Sequence, residues 1–120
     1  MKPAVRHVSD RDEYWFVEGC FITELSNSDE DPAVSIARAR VEPGVTTRWH
    51  RLTGISERYV IIEGTGRVEL GGVDAQQVTA GDVVMIPPGT AQRITNTGDA
   101  DLVFLAICSP RFVQQAYQNL

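Results

Sequence analysis

Cysteine and histidine are scarce in this sequence, which has two of each among its 120 residues. Two cysteines are too few for a fold held by disulfides, so we expect Cys20 and Cys108 to be reduced thiols buried in apolar segments. Of the two histidines, His7 falls in the N-terminal arm and is expected at the surface. A site that needs an imidazole therefore has only His50.

Long apolar runs and an excess of positive charge are also missing. The longest apolar stretches, such as residues 102–108, are far shorter than a membrane span, and the N-terminus MKPAVRHVSD lacks the apolar core of an export signal. Sixteen acidic against eleven basic residues give a formal charge of −5, which disfavours a general electrostatic attraction to nucleic acid or anionic lipid. We expect a cytoplasmic protein with no nucleic acid or membrane partner.

Short β-type segments, separated by Gly, Pro, Asn and Asp, make up most of the chain after residue 14. This spacing is typical of an all-β sandwich or barrel, and no linker or low-complexity tract divides the chain, so residues 1–120 are expected to form a single domain. The predicted strands are 14–25 with a break near Gly19, 33–41, 46–51, 57–63, 66–70, 76–78, 83–86, 91–96 and 102–108.

The C-terminal segment SPRFVQQAYQNL has a different apolar period. Ser109 is a suitable N-cap and Pro110 suits the first helical position, and the apolar residues that follow recur at helical spacing. The pattern predicts a short C-terminal helix over about residues 110–118 that packs on the barrel or on a partner.

Two motifs carry the chemistry. The first, GVTTRWHRLTGISERYVIIEG, runs from Gly44 to Gly64, and the second, GDVVMIPPGTAQRITN, runs from Gly81 to Asn96. Together they resemble the two motifs of the cupin superfamily, in which glycines frame a His-x-His pair and a glutamate, and then a Pro-x-Gly, a third histidine and an asparagine. The resemblance covers roughly residues 33–108, with the core motifs inside 41–108, and implies a double-stranded β-helix, the jelly-roll barrel of the cupins.

The resemblance also implies a metal site inside the barrel. His50, Glu57 and Gln92 match the family's first histidine, its glutamate and its third histidine, so they are the predicted ligands of a divalent ion, Mn, Fe, Ni or Zn. The sequence departs from the family at Leu52, which stands where the second histidine is expected, and at Gln92 itself. The set is thus reduced to at most three donors. The same three residues are alternatively a metal-free polar pocket in which Gln92 hydrogen-bonds to His50.

Two functions remain open. One is a mononuclear metalloenzyme, of the dioxygenase or isomerase kind, acting on a small molecule. The other is a non-catalytic cupin that binds a small ligand with a degenerate metal site, because a fold does not fix a function. No catalytic residue and no other cofactor is predicted. A homodimer is expected, since the segment YWFVEGCFITEL is apolar on both faces and members of the family commonly pair through their sheets.

Overall fold

The structure, a computed structural model covering residues 1–120, consists almost entirely of antiparallel β-strands. A six-stranded sheet has the order β1-β2-β3-β10-β5-β8, and a five-stranded sheet has the order β11-β4-β9-β6-β7. The strands are β1 Tyr14–Phe16, β2 Cys20–Ser26, β3 Ser35–Val41, β4 His50–Leu52, β5 Ser56–Glu63, β6 Thr65–Leu70, β7 Gln76–Thr79, β8 Val83–Ile86, β9 Gln92–Asn96, β10 Leu102–Ser109 and β11 Tyr117–Asn119. Single turns of 3-10 helix occupy Val8–Asp10 and Gln114–Ala116.

The predicted all-β double-stranded β-helix is confirmed, and nine predicted segments account for the first ten strands. The break near Gly19 separates β1 from β2. The segment predicted at 46–51 is shorter than expected, because only His50–Leu52 forms a strand and Thr46 contributes an isolated bridge to Thr95. The chain contains no helix with the length and apolar character that a membrane crossing requires.

The predicted C-terminal helix over 110–118 is wrong. Only Gln114–Ala116 turns, as 3-10 helix, and the chain then continues as β11 along β4, with Tyr117 opposite Leu52 and Asn119 opposite His50. Pairing with the otherwise open edge of β4 satisfies backbone groups that a free helix would leave to solvent. The apolar residues of the segment still pack on the barrel, since Phe112, Ala116 and Tyr117 contact a small cluster around Leu52.

Alternation along the strands divides the interior into two ends. At one end, the inward residues of β5, β9 and β10 are apolar except for Asn96, and Ile61, Ile94 and Leu102 are almost fully buried. At the other end, the same three strands carry Glu57, Gln92 and Cys108. The apolar end is the main core, and the polar end contains the candidate site.

Candidate functional site

His50 is the first residue of β4 and points into the barrel, with Arg51 exposed on the opposite face. Its side chain is 4% exposed, its ring stacks on that of Tyr117 at 5.1 Å between centroids, and its Nδ1 lies 2.8 Å from the carbonyl oxygen of Arg48. Because a carbonyl only accepts, Nδ1 must carry the proton. The second ring nitrogen, Nε2, is therefore the atom free to act.

Glu18 supplies the partner of that atom, and sequence reasoning missed it. Its Oε2 lies 3.0 Å from Nε2 of His50. The residue is in the turn between β1 and β2, where Gly19 adopts a positive φ of 104°, and the carbonyl of Glu18 accepts a hydrogen bond from the backbone N–H of Arg48 at 2.7 Å. The turn is thereby fixed against the chain that leads into β4. The only sign of this role in the sequence is that Glu18 precedes Gly19 within the otherwise apolar stretch YWFVEGCF.

Glu57 points inward from β5 and is 8% exposed. Its Oε1 has no hydrogen-bond partner, and its Oε2 has only a long contact of 3.7 Å from the thiol of Cys108. Burial, and after it the charge of Glu18, raises the pKa of Glu57 to about 8, while the nearby Gln92 and Cys108 act in the opposite direction. This carboxyl is thus protonated at neutral pH.

Gln92 begins β9, opposite His50 in the five-stranded sheet, and is 1% exposed. Its Oε1 accepts a hydrogen bond from the hydroxyl of Tyr59, which lies two residues after Glu57 on the same face of β5. Burial raises the pKa of Tyr59 well above its usual value, so the phenol remains a donor. One of the two lone pairs of the Gln92 amide oxygen is consequently used by the protein itself.

The structure brings the three predicted ligands into the same interior, since His50, Glu57 and Gln92 are all buried at the polar end. Leu52, at the position of the family's second histidine, instead packs with Ile55, Cys108 and Ala116. No group of three or more His, Cys, Asp or Glu side chains is arranged to hold a metal ion. Metal ligation by the predicted trio therefore stays a prediction.

The two cysteines are free and buried, as expected from the sequence. The thiol of Cys20 donates to Oε1 of Glu18 at 3.1 Å. Burial, followed by the charge of the neighbouring carboxylate, raises the pKa of both thiols far above the usual range. Neither thiol is suited to act as a nucleophile, and each serves as a donor to a site carboxyl.

A cavity of about 60 Å³ opens beside these groups, against the inner face of the six-stranded sheet. Glu18 and Glu57 both line it, together with Glu24 of β2. Most of the remaining wall is apolar, including Phe16 and Phe104. A small molecule in this cavity would contact both site carboxyls.

Comparisons with known proteins agree with this architecture. The family model described as Cupin domain matches residues 37–108. An oxalate-binding protein of Thermotoga maritima is 38% identical over 71 residues, which are 59% of this chain but only 58% of that protein, so less than two thirds of the relative is matched.

Two solved structures have the same fold. A predicted oxalate decarboxylase from Thermotoga maritima is 28% identical, with a TM-score of 0.76 over 89% of this chain and 99% of that one. A Streptomyces PAC13 variant with uridine has a TM-score of 0.81 at 20% identity, over 100% of this chain and 92% of the other. At that identity the second likeness concerns the fold alone.

Proposed function

Since this chain belongs to the cupin family, whose domain model matches residues 37–108, we propose that it binds a small organic molecule in the barrel and transfers a proton to or from it through its own side chains. One observation carries the proposal. In a buried setting, Nε2 of His50 lies 3.0 Å from Oε2 of Glu18, and the other ring nitrogen is already fixed by a carbonyl.

This geometry holds one proton between two groups that can both exchange it. With Nδ1 protonated, either Nε2 is also protonated and donates to the Glu18 carboxylate, or a protonated Glu18 donates to a neutral Nε2. After releasing that proton, the pair is a general base, and with it the pair is a general acid. Both side chains are largely buried, with 4% of His50 and 13% of Glu18 exposed, which limits the contact of the pair with solvent.

Glu57 has a separate part in this proposal. Its carboxyl borders the same cavity and has an oxygen without a partner, so it is available to a ligand. In its protonated form it donates a hydrogen bond to an oxygen of the bound molecule, such as a carbonyl on which negative charge develops when a neighbouring C–H loses its proton.

The predicted divalent metal, Mn, Fe, Ni or Zn, does not fit the side chains as they are placed. Gln92 Oε1 accepts from Tyr59, and His50 Nε2 is paired with Glu18, so both predicted donors already have partners within the protein. Leu52 offers no donor. The unpaired oxygen of Glu57 is the one feature that favours a metal, and metal analysis of protein purified without chelator tests it: near-stoichiometric metal lost on His50→Ala would contradict our proposal.

Solvent exchange tests the proton transfer directly. Chelator-treated protein in D₂O is mixed with acetone, pyruvate or aminoacetone, which are neutral, anionic and cationic carbon acids, and deuterium uptake next to the carbonyl is followed by NMR. We expect catalysed uptake with at least one of them, and a loss of roughly 100-fold on His50→Gln or Glu18→Gln, the usual size of an acid–base contribution. Arg67→Gln, on an exposed side chain of β6, is the matched control.

Two results would contradict the proposal. One is uptake that appears only after Mn, Fe, Ni or Zn is added. The other is binding of a small molecule, with no uptake in any of the three carbon acids, which would favour the alternative of a non-catalytic binding cupin. That alternative has one observation in its favour, because His50 and Glu18 already satisfy each other without a ligand atom between them.

Homodimer formation belongs to the same proposal. Strand β1 is an edge of the six-stranded sheet, and its region keeps large apolar side chains in solvent, with Trp15 57% and Val17 56% exposed. A second copy that pairs along this edge would cover them. Light scattering after size exclusion should give the mass of a dimer, reduced to that of the monomer by Trp15→Glu. A wild-type monomer would contradict the expectation.

A further inference from the structure

The cavity beside the site is present because two neighbouring strands, β3 and β10, carry small side chains on their inner face. Ala37 of β3 lies directly opposite Ala106 of β10, and Ser35 lies opposite Cys108, all on the inner face of the six-stranded sheet. A packed barrel would carry larger residues at these central positions. Their small volume leaves a recess of about 60 Å³ in the place where the sheet would otherwise be filled.

The ionisable side chains that line this recess are acids, tyrosine and cysteine, with no basic group among them. Glu18, Glu24 and Glu57 line it, and no lysine, arginine or histidine does. Their positions are independent of one another in the chain, since Glu24 is on β2, Glu57 on β5 and Glu18 in the turn after β1. His50 does not line the recess, and its Nε2 lies 3.0 Å from Oε2 of Glu18, which does.

Aromatic rings make up much of the rest of the wall. Tyr14 and Phe16 of β1, Phe104 of β10 and Phe112 of the C-terminal segment all face the recess. The face of an aromatic ring attracts a cation, and rings combined with carboxylates are the usual surroundings of an organic ammonium group in proteins. Tyr14 is 43% exposed and its hydroxyl lies 3.4 Å from Oε1 of Glu24, so these two residues form the open side.

The unpaired oxygen of Glu57 is an independent indication that the recess binds a ligand. Oε1 of Glu57 is buried and has no hydrogen-bond partner, although its residue is only 8% exposed and borders the recess. A buried carboxyl oxygen without a donor is costly and is seldom retained without a use. An ammonium or a hydroxyl group placed in the recess would supply the missing donor.

From this placement of three carboxyls and four aromatic rings around one recess, we infer that the molecule bound here is a small organic cation, an amine or methylated ammonium with a short apolar body. The inference rests on the proposed function in that it names the substrate class of the same site. A dicarboxylate such as oxalate, the ligand in the name of the Thermotoga relative, would face three carboxyls with no positive group lining the recess.

Binding of matched probes tests this inference. Choline and 3,3-dimethylbutan-1-ol have the same shape, but choline has a positively charged nitrogen where the alcohol has a neutral carbon. Chelator-treated full-length protein is titrated with each, and with oxalate, by calorimetry and by amide chemical shifts. We expect choline to bind at least tenfold more tightly than the neutral alcohol and oxalate not to bind. Glu24→Gln, at the open side, should lower the preference for choline severalfold.

Filling the recess is the second arm of the experiment. Ala106→Leu places a larger side chain on the inner face of β10 and should abolish choline binding, and Ala106→Val is the milder variant if the leucine disturbs folding. Leu105→Met, on the outer face of the same strand, is the matched control and should bind choline as the wild type does. Near-UV circular dichroism establishes that each variant is folded.

Four outcomes would overturn the inference: equal or tighter binding of the neutral alcohol, tighter binding of oxalate, no binding of any ammonium probe, or tight binding of Mn²⁺ that excludes choline. Its failure is distinguishable from that of the proposed function. Choline preference without deuterium uptake in any carbon acid would leave the inference standing alone. Uptake in acetone or pyruvate without a preference for cations would leave only the proton transfer.

Discussion

The two ends of the barrel interior are built from the same strands and differ in how completely their buried groups are satisfied. At the apolar end, Ile61, Ile94 and Leu102 fill the space between the sheets, and the buried amide of Asn96 has its hydrogen bonds satisfied. At the polar end, Glu57 has an oxygen without a partner, and His50 depends on a turn outside both motifs for its contact. The first end stabilises the fold, and the second retains buried polar groups at a cost in stability, as functional sites commonly do.

A single strand illustrates this difference with two amides. Asn96, at the end of β9, donates to the carbonyls of Val41 and Ala100, both at 2.8 Å, and accepts from the N–H of Gly98 at 2.9 Å. Gln92, at the start of β9, has one hydrogen bond, from Tyr59. Both residues are 1% exposed. Equal burial therefore does not mean equal roles, because only the asparagine is fully used by the fold.

The largest expected effect concerns Glu57. Its pKa is about 8 in the folded chain against an ordinary value of 4.5, so the folded form binds more protons than the unfolded form between these two values. The contribution of Glu57 to stability is therefore fully present below pH 4.5 and declines as the pH rises to about 8, by roughly 5 kcal/mol if each unit of difference in pKa corresponds to about 1.4 kcal/mol. Urea denaturation of chelator-treated protein from pH 4.5 to 9 measures this slope, and Glu57→Gln should flatten it.

Glu42→Gln removes the same charge from an exposed loop and controls for net charge in that series. A slope that rises with pH in the wild type, or one that Glu57→Gln leaves unchanged, would contradict the raised pKa. The other groups with clear shifts lie outside this window, since the pKa values of Glu13 and Glu69 are lowered and that of Tyr14 is raised to about 12.

Gly64→Ala tests the apolar end. A Cβ at Gly64 would lie 2.7 Å from the carbonyl oxygen of Asp101 and 3.0 Å from Cα of Leu102, at a φ of +86°. Backbone strain and the clash together should lower the free energy of unfolding by about 4 kcal/mol. Gly54→Ala is the matched control, because its φ is +74° and nothing lies within 4 Å of the added carbon. Equal losses in the two variants would exclude the close approach as the cause.

Asn96→Ala should have the next largest effect. It leaves the carbonyls of Val41 and Ala100 and the N–H of Gly98 without their partner, and we expect a loss of about 3 kcal/mol in the free energy of unfolding. Denaturation at one pH measures it. If Asn96→Ala lowered the free energy of unfolding by less than Gln92→Met does, the conclusion that Asn96 contributes more to the fold than Gln92 would be wrong.

Gln92→Met should have the smallest effect, about 1 kcal/mol, since it removes the acceptor of one hydrogen bond from Tyr59. The double variant with Tyr59→Phe should recover part of that loss, because the unpaired hydroxyl is then absent as well. Additive losses in the double variant would show that the two side chains do not interact in solution.

Much of the fold could be predicted from the sequence because its signals are local. Runs rich in Val, Ile and Thr end at turn residues, and the two motifs fix the order of β4 to β9, so the strand bounds differ from prediction by one or two residues in most cases. The burial of His50, Glu57 and Gln92 follows from alternation along their strands, which sequence spacing reveals.

The remainder depends on contacts between distant segments. Phe112, Ala116 and Tyr117 have helical spacing, but the open edge of β4 determines that the tail forms β11, and no local pattern reveals that edge. Glu18 likewise has no spacing relation to His50, because the two meet only when the β1–β2 turn folds against Arg48. The predicted metal ligands all came from the two motifs, and this turn lies outside both motifs, so Glu18 was not among the predicted site residues.

That turn has a consequence for how such a protein can diversify. The residue facing Nε2 of His50 comes from a three-residue connection, Val17 to Gly19, that joins two strands at the edge of a sheet and contributes nothing to the main core. Exchanging the connection for another of equal length would present a hydroxyl, an amide or an amine to the same imidazole while both sheets stay as they are. The group that faces His50 could therefore change through substitutions in this connection alone, without any change in the two sheets.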